Sequence, residues 1–327
     1  MPKQTNKSSP ISGRLPLIIV NPKSAAGSTK DNWAGIASDM RAHFGAYNVA
    51  FTKAAGDGTS LAKRACESGR TFIIACGGDG TINEVANGIL QSGKDVELGV
   101  MPSGTGGDFR RTLDIPQSPR EAARALRDGQ TKRIDVGRVT FQSHNNETIN
   151  RYFLNISSFG LAASIIERVK SNKALDWLPL GGVRGRANFA LSTLQEIVGL
   201  GFVTVKVKVD GGDEKLLNTI NFCVANARYF GGGMKIAPDA KINDGFLDII
   251  NIGDIRTAKI LLNAYTLYNG THLDLKEVKS TLAKRVEVSP ASKDVEIHFE
   301  TDGELPGKLP AVFEVVPAAL WVRVPQN

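Results

Sequence analysis

Cysteine is scarce in this chain. The three present, Cys66, Cys76 and Cys223, lie far apart and form no Cys-x-x-Cys pair. Cys76 and Cys223 sit inside apolar runs and read as small core residues, which points to a reducing compartment. No stretch approaches the ~18 consecutive apolar residues that a spanning helix needs. The chain therefore reads as soluble and cytoplasmic, with contact at the inner face of a membrane still open to it. The Walker A spacing of Gly-x4-Gly-Lys-Ser/Thr is absent, which excludes an ordinary P-loop. Aromatics make up only 7% of residues, and without a basic-aromatic cluster or a reading helix no nucleic-acid partner is expected. There is no internal repeat. Residues 1–14 are polar and basic with Pro, Ser and Gly but no apolar core, so a disordered tail rather than a signal peptide is predicted there.

What is present is ordinary for a globular protein: 327 residues, 42% hydrophobic, 22% charged, with a net charge of +7. That length suggests two domains by the ~150-residue prior. The positive excess suits anionic partners such as nucleotides or phospholipid head groups, and equally suits solubility alone. Up to about residue 130, short apolar runs alternate with helical spacing. Strands are predicted at Leu17–Val20, Tyr47–Phe51, Thr71–Cys76 and Val96–Val100. Helices are predicted over Leu61–Ser68, from Ile82 onward, and over Pro119–Asp128. This alternation argues for a parallel sheet covered on both faces, with ligands beyond the carboxyl ends of its strands.

After about residue 137 the pattern becomes mostly antiparallel β. Val203, Val205, Val207 and Val209 alternate with polar residues, and a turn at Asp210-Gly211-Gly212 follows. Further strands are expected at Thr219–Ala225, Phe246–Ile252, Val286–Ser289, Val295–Phe299, Val312–Val316 and Leu320–Val324. The resulting division is a tail at 1–14, an α/β domain at 15–137 and a β domain at 138–327, with a helical insertion at about 164–200.

Five loops stand out. Cys76-Gly77-Gly78-Asp79-Gly80-Thr81-Ile82-Asn83-Glu84 closes a buried strand. Its glycines let backbone N–H groups approach a phosphate at a helix N-terminus. Asp79 would be repelled there unless it orients a cation or a hydroxyl. Thr81 and Glu84 fit a capping box for the same helix. Asn21-Pro22-Lys23-Ser24 follows the first strand and could be a simple turn. Met101 to Arg111 repeats the pairing of glycines with a carboxylate, Asp108, beside Arg110 and Arg111. Phe230 to Asp248 combines turn glycines with carboxylates that suit a hard cation. Thr301-Asp302-Gly303-Glu304 reads as a hairpin tip.

In this order, the loops resemble the diacylglycerol kinase catalytic domain, the superfamily that also holds sphingosine and ceramide kinases. The matching stretches are NPKSAAG (21–27), GGDGTINEVANGI (77–89), PSGTGGDF (102–109), FLNISSFGLAA (153–163), GGGMKIAPDAKINDGFLDI (231–249) and TDGE (301–304). The resemblance implies a phosphofructokinase-like α/β domain, a C-terminal antiparallel β-sandwich, and an active cleft between them. It implies transfer of the γ-phosphate of ATP to a lipid hydroxyl with Mg²⁺. By position, Asn21, Pro22, Lys23, Ser24, Ala25, Thr52, Gly77, Gly78, Asp79, Gly80, Thr81, Ile82, Asn83 and Thr105 match the family's ATP contacts, and Glu304 its proton acceptor. Lys241 and Phe246, through carbonyls, and Asp244 match a structural Mg²⁺ site distinct from the metal on ATP.

The chemistry suits these assignments. Phosphoryl transfer asks mainly for positioning and charge neutralisation. Asp79 and Asp108 could hold the catalytic Mg²⁺, and Glu304 could accept the hydroxyl proton. Trp177-Leu178-Pro179-Leu180, flanked by Lys170, Lys173, Arg184 and Arg186, could rest on an anionic membrane or tuck into the core. In one departure from the family pattern, Gly107 stands where an Asn is usual. Diacylglycerol, giving phosphatidic acid, is the default substrate. A sphingosine- or ceramide-type kinase, a NAD kinase-like enzyme and a non-catalytic lipid-binding regulator are the alternatives. A homodimer is also open.

Overall fold

The computed structural model describes residues 14–104, 106–143, 145, 147–171 and 201–326. In the N-terminal half, β1 (Leu17–Val20), β2 (Asn48–Phe51), β3 (Phe72–Gly77) and β4 (Glu97–Pro102) pair in parallel in the order β2-β1-β3-β4. Helices α1 (Ser28–His43), α2 (Asp57–Glu67), α3 (Asp79–Ser92), α4 (Asp108–Thr112) and α5 (Pro119–Asp128) join or flank the strands. β1, β3 and β4 are almost wholly buried apolar runs, as strands covered on both faces must be. The stripe Ile82, Val85, Ala86 and Ile89 of α3 is buried against them. At roughly 25 cal/mol per Å² of apolar area, that stripe stabilises the helix far more than its propensity does.

The C-terminal half contains β5 (Gln130–Gln142), β6 (Thr148–Phe153), β7 (Ile156–Gly160), α6 (Leu161–Ser171), β8 (Val203–Val209) and β9 (Lys215–Thr219). It continues with β10 (Asn221–Ala225), β11 (Leu247–Ile252), α7 (Thr257–Asn269), β12 (Val278–Ala283), β13 (Arg285–Pro290), β14 (His298–Thr301), β15 (Glu304–Lys308) and β16 (Ala311–Val324). One antiparallel sheet runs β12-β11-β10-β7-β14-β15. It packs against strands β5, β6, β8, β13 and β16 of the larger sheet. Phe141, Phe153, Phe159, Phe222, Phe299 and Phe313 fill the space between them. Phe299 meets Phe141 and Phe313 edge-on at 5.1 and 5.8 Å, the favoured arrangement for ring quadrupoles.

The larger sheet does not stop at the end of the α/β half. Trp321 and Val322 of β16 pair in parallel with Glu97 and Leu98 of β4. The other end of β16 pairs antiparallel with β13, and β5 follows β16 along nearly its whole length. The two strands expected at Val312–Val316 and Leu320–Val324 are thus one. The register shifts between Val316 and Leu320, where Pro317 has no N–H to give the ladder. Asp135 of β5 steadies this break: Oδ1 accepts the Ala318 amide at 2.7 Å and Oδ2 the Gly245 amide at 2.7 Å.

The helix predicted at Leu61–Ser68 begins earlier, at Asp57. Of the expected insertion, α6 is described; residues 172–200, with Trp177 to Arg186, lie outside the described residues. Among the described residues no helix is long and apolar enough to cross a membrane.

Candidate active site

A cleft of about 510 Å³ opens at the carboxyl ends of β1 and β3. Its walls are Asn21, Lys23, Ser24, Ala25, Thr52, Lys53, Ala54, Ala55, Gly78, Asp79, Gly80, Thr81, Glu84, Gly104, Gly106 and Glu304. Glu304, at the start of β15, faces the loops of the α/β half across this space. The structure therefore gathers Asn21, Lys23, Ser24, Ala25, Thr52, Gly78, Asp79, Gly80, Thr81 and Glu304 around one cavity. Thr105 lies outside the described residues.

Four expected contacts stand behind the wall. Pro22 and Gly77 shape the loops without lining the cavity. Ile82 is 2% exposed and belongs to the core. Asn83 is buried, and its amide Nδ2 donates to Asp302 Oδ2 at 2.7 Å and to the Tyr152 carbonyl at 3.1 Å. Asn83 thereby ties the phosphate-type loop to the hairpin that carries Glu304.

The capping-box expectation is corrected. α3 starts at Asp79 behind Gly78, with no side-chain cap. Thr81 Oγ1 instead accepts a hydrogen bond from Asn21 Nδ2 at 3.0 Å, joining the first two loops. Glu84 turns to the neighbouring helix, where Oε1 accepts the Gly56 amide and Oε2 the Gly58 amide, both at 2.8 Å. A carboxylate there offsets the positive end of α2 and satisfies two orphan donors. Gly56 is left-handed at φ +84°, so this cap holds a turn that brings Lys53, Ala54 and Ala55 to the cleft.

The remaining loops interlock through hydrogen bonds. Ser24 Oγ lies 2.5 Å from Thr29 Oγ1, which in turn lies 2.6 Å from Ser103 Oγ. Gly104 packs so tightly on Gly78 that a methyl group there would overlap the Gly78 backbone. Asp79 crosses the same gap: Oδ2 accepts the Gly107 amide at 2.8 Å and Oδ1 the Phe109 amide at 3.0 Å. Gly107 has φ +67°, a left-handed conformation that glycine adopts without strain and that Asn also tolerates.

Asp108 does not line the cavity. Its Oδ1 pairs with Arg111 at 3.0 Å and its Oδ2 accepts the Gly232 amide at 2.9 Å, bridging to the C-terminal half. Burial pushes this carboxyl above its ordinary range, and the Asp79 charge adds to that; the Gly232 amide and Arg111 oppose it.

Glu304 is held by Arg151 of β6, whose guanidinium contacts its Oε2. The two-residue turn before it, Asp302-Gly303, has positive φ at both positions (+47° and +85°). Asp302 accepts four N–H groups: Asn83 Nδ2 and the amides of Leu154, Asn155 and Ile156, at 2.7–3.0 Å. The acidic group therefore sits on a turn fastened to both halves. Sequence reasoning missed Arg151, Lys53 and Ala55, because each reaches the site through the tertiary fold and none sits in a motif.

The loop expected to hold a structural metal has Lys241 and Asp244 exposed and Phe246 half-buried. Asp244 Oδ1 accepts the Phe246 amide at 3.1 Å. Asp248 beneath it is pushed up to about 6 by burial and then by the charges of Asp244 and Asp239, with Lys241 opposing. Among the described residues no three His, Cys, Asp or Glu side chains cluster as metal ligands. A cation here would thus rely on one or two carboxylates plus carbonyls, as hard cations do.

The comparisons agree with this geometry. Residues 16–139 match the family described as "Diacylglycerol kinase catalytic domain", and residues 156–324 the "YegS C-terminal NAD kinase beta sandwich-like domain". The chain is 31% identical over 313 residues to the diacylglycerol kinase of Bacillus subtilis strain 168, covering 95% of this chain and 96% of that one. It is 30% identical over 274 residues to the diacylglycerol kinase of Mycobacterium tuberculosis strain H37Rv, covering 84% and 83%. A solved structure of a candidate diacylglycerol kinase from Bacillus anthracis strain Sterne superposes with a TM-score of 0.73 at 26% identity, covering 95% and 97%. With matched domains, a shared architecture and an acid facing the glycine loops, the chain belongs to the diacylglycerol kinase catalytic domain family and is a lipid kinase.

Proposed function

We propose that this lipid kinase transfers the γ-phosphate of ATP to the free hydroxyl of diacylglycerol, giving phosphatidic acid, with Mg²⁺ as its metal. The observation that carries the reading is Glu304 facing the Asn21–Ala25 and Gly78–Thr81 loops across one cleft. The N–H groups at the start of α3, with Lys23 beside them, suit the phosphates of ATP. Asp79 is the cleft carboxylate suited to hold Mg²⁺, directly or through water. Both its oxygens already accept amides, so its orientation is fixed before any ligand arrives. Bound Mg²⁺ would neutralise charge on the transferring phosphoryl group. Asp108 acts from behind, fixing the loop that Asp79 grips. Glu304 accepts the hydroxyl proton as the lipid oxygen bonds to the γ-phosphorus and the bond from that phosphorus to the β,γ-bridging oxygen breaks, releasing ADP, and Arg151 orients the Glu304 carboxylate. The carbonyls of Lys241 and Phe246 with the Asp244 side chain would hold a second, structural Mg²⁺. The acceptor is drawn from a membrane surface at which the protein acts peripherally, from the cytoplasmic side.

The test incubates purified protein with labelled ATP, Mg²⁺ and a panel of lipids in mixed micelles, with NAD as a further acceptor. Labelled phosphatidic acid that disappears in Glu304→Gln is expected. Labelled NADP, or a lipid product unaffected by that substitution, would overturn the proposal.

A further inference from the structure

Under the Asp302-Gly303 turn lies a carboxylate that the scheme above does not use. Glu300 of β14 is 4% exposed. Its Oε1 accepts the Ser158 hydroxyl at 2.6 Å, and its Oε2 accepts the Gly303 amide at 2.9 Å. In register, Glu300 stands opposite Ser158 of β7, and Ser158 stands opposite Cys223 of β10. The carboxylate is therefore in the body of the sheet, away from water, where an ionisable group is costly unless its oxygens are bonded. Burial pushes its carboxyl up to about 7, against the pull of Ser158 and Gly303.

What the carboxylate does there is specific. The ladder between β14 and β15 resumes at Thr301 opposite Glu304, so the Gly303 amide falls in the turn. Asp302 is fastened by its own side chain to the β6–β7 turn, to β7 and to α3. Gly303 has no side chain to fasten, and it is the residue directly before Glu304. The Glu300 carboxylate reaches forward along its own strand and holds this one amide.

We propose that Glu300 is a positioning residue: by pinning the Gly303 amide from beneath, with Ser158 holding its other oxygen, it fixes where the Glu304 carboxylate stands at the cleft. The inference rests on the reading of Glu304 as proton acceptor. A shift confined to Gly303 and Glu304 would leave nucleotide binding intact, because the Asp302 side chain keeps its own bonds to Asn83 and the β6–β7 turn and Glu300 touches none of the glycine loops; it would slow transfer alone.

The experiment compares wild type, Glu300→Gln and Glu300→Leu. It reads kcat and the ATP KM with diacylglycerol micelles, and hydrogen exchange at the Gly303 amide without substrate. Gln can accept the Gly303 amide through its oxygen and donate to Ser158 Oγ through its nitrogen, so it should keep both readouts near wild type. Leu should expose the Gly303 amide to faster exchange. It should also lower kcat by about tenfold to a hundredfold with the ATP KM within about twofold, as small misplacements of a reacting group do. If Glu300→Leu does not fold, Ser158→Ala frees one carboxylate oxygen and should move both readouts the same way by less. Wild-type exchange at Gly303 in Glu300→Leu would overturn the inference, as would Glu300→Gln losing as much kcat as Leu. A wild type that labels no lipid would sink the kinase reading, while faster Gly303 exchange in Leu would still support the pinning.

Discussion

At the scale of single residues, the cleft carries Glu304 and Asp79, both half-buried, and the fold hides other carboxylates that support them. Glu304→Gln keeps size and loses basicity, so kcat should fall by about a hundredfold or more while the protein melts near the wild-type temperature. Steady-state kinetics beside a thermal melt would check this. Glu300 predicts a different pH signature. Its carboxyl is raised from the ordinary range to about 7, so the folded state holds a proton that the unfolded chain releases. Stability should therefore be lost as pH rises from about 4.5 to 7, by an amount on the order of 3 kcal/mol. Scanning fluorimetry should show that decline, and Glu300→Gln should remove only part of it, because burial also pushes Asp302 and Asp248 up to about 6. Glu304, Asp79 and the glycines were legible in the sequence because their motifs are local. Arg151 was not, since it meets Glu304 across strands distant in sequence, nor was Glu300, whose burial and bond to Ser158 arise only when β14 pairs with β7.

At the scale of elements, Glu84 shows how a local pattern misleads. Thr81 and Glu84 have the spacing of a self-capping helix, yet the carboxylate caps α2 instead. Glu84→Ala should cost about 1–2 kcal/mol, the worth of a good N-cap. It should also raise the ATP KM modestly, because the Lys53–Ala55 turn then rests on Asp57 alone, whose Oδ2 accepts the Lys53 and Ala54 amides; melts and ATP titration would separate the two effects. The Gly78–Gly104 contact gives a second element-level test. Gly104→Ala must push the second and third loops apart, so nucleotide affinity should drop about tenfold or more with little change in the melt. Unchanged affinity would mean that the close approach is not needed for binding. Helix α7 escaped the sequence reading for a physical reason: Leu262, Tyr265 and Tyr268 are 56–75% exposed, so its apolar residues do not mark a buried stripe. The two strands read at Val312–Val316 and Leu320–Val324 merged into β16 because the tertiary sheet tolerates Pro317 at a register shift.

At the scale of the molecule, the α/β and β halves were legible as a change of pattern near residue 137, but their union was not. That residue lies inside β5, which runs beside β16 through both halves. Asp135, Asp108 and Asn83 add cross-links between the same regions. Calorimetry should accordingly give one cooperative unfolding transition in place of two. Asp135→Ala, which orphans the Ala318 and Gly245 amides, should lower its midpoint by several degrees.

The pairing of β16 with β4 also sets an order of events during synthesis. The nucleotide loops leave the ribosome early, yet the open edge of β4 waits for Trp321 and Val322, and the acid at 304 arrives only shortly before them. Between the synthesis of β4 and that of β16 the nascent chain exposes an unpaired apolar strand edge, the kind of surface that recruits wrong partners. The same delay means that no chain still short of Glu304 has the acid that faces the glycine loops. The cleft gains that acid and β4 gains its second neighbour within one short stretch of synthesis.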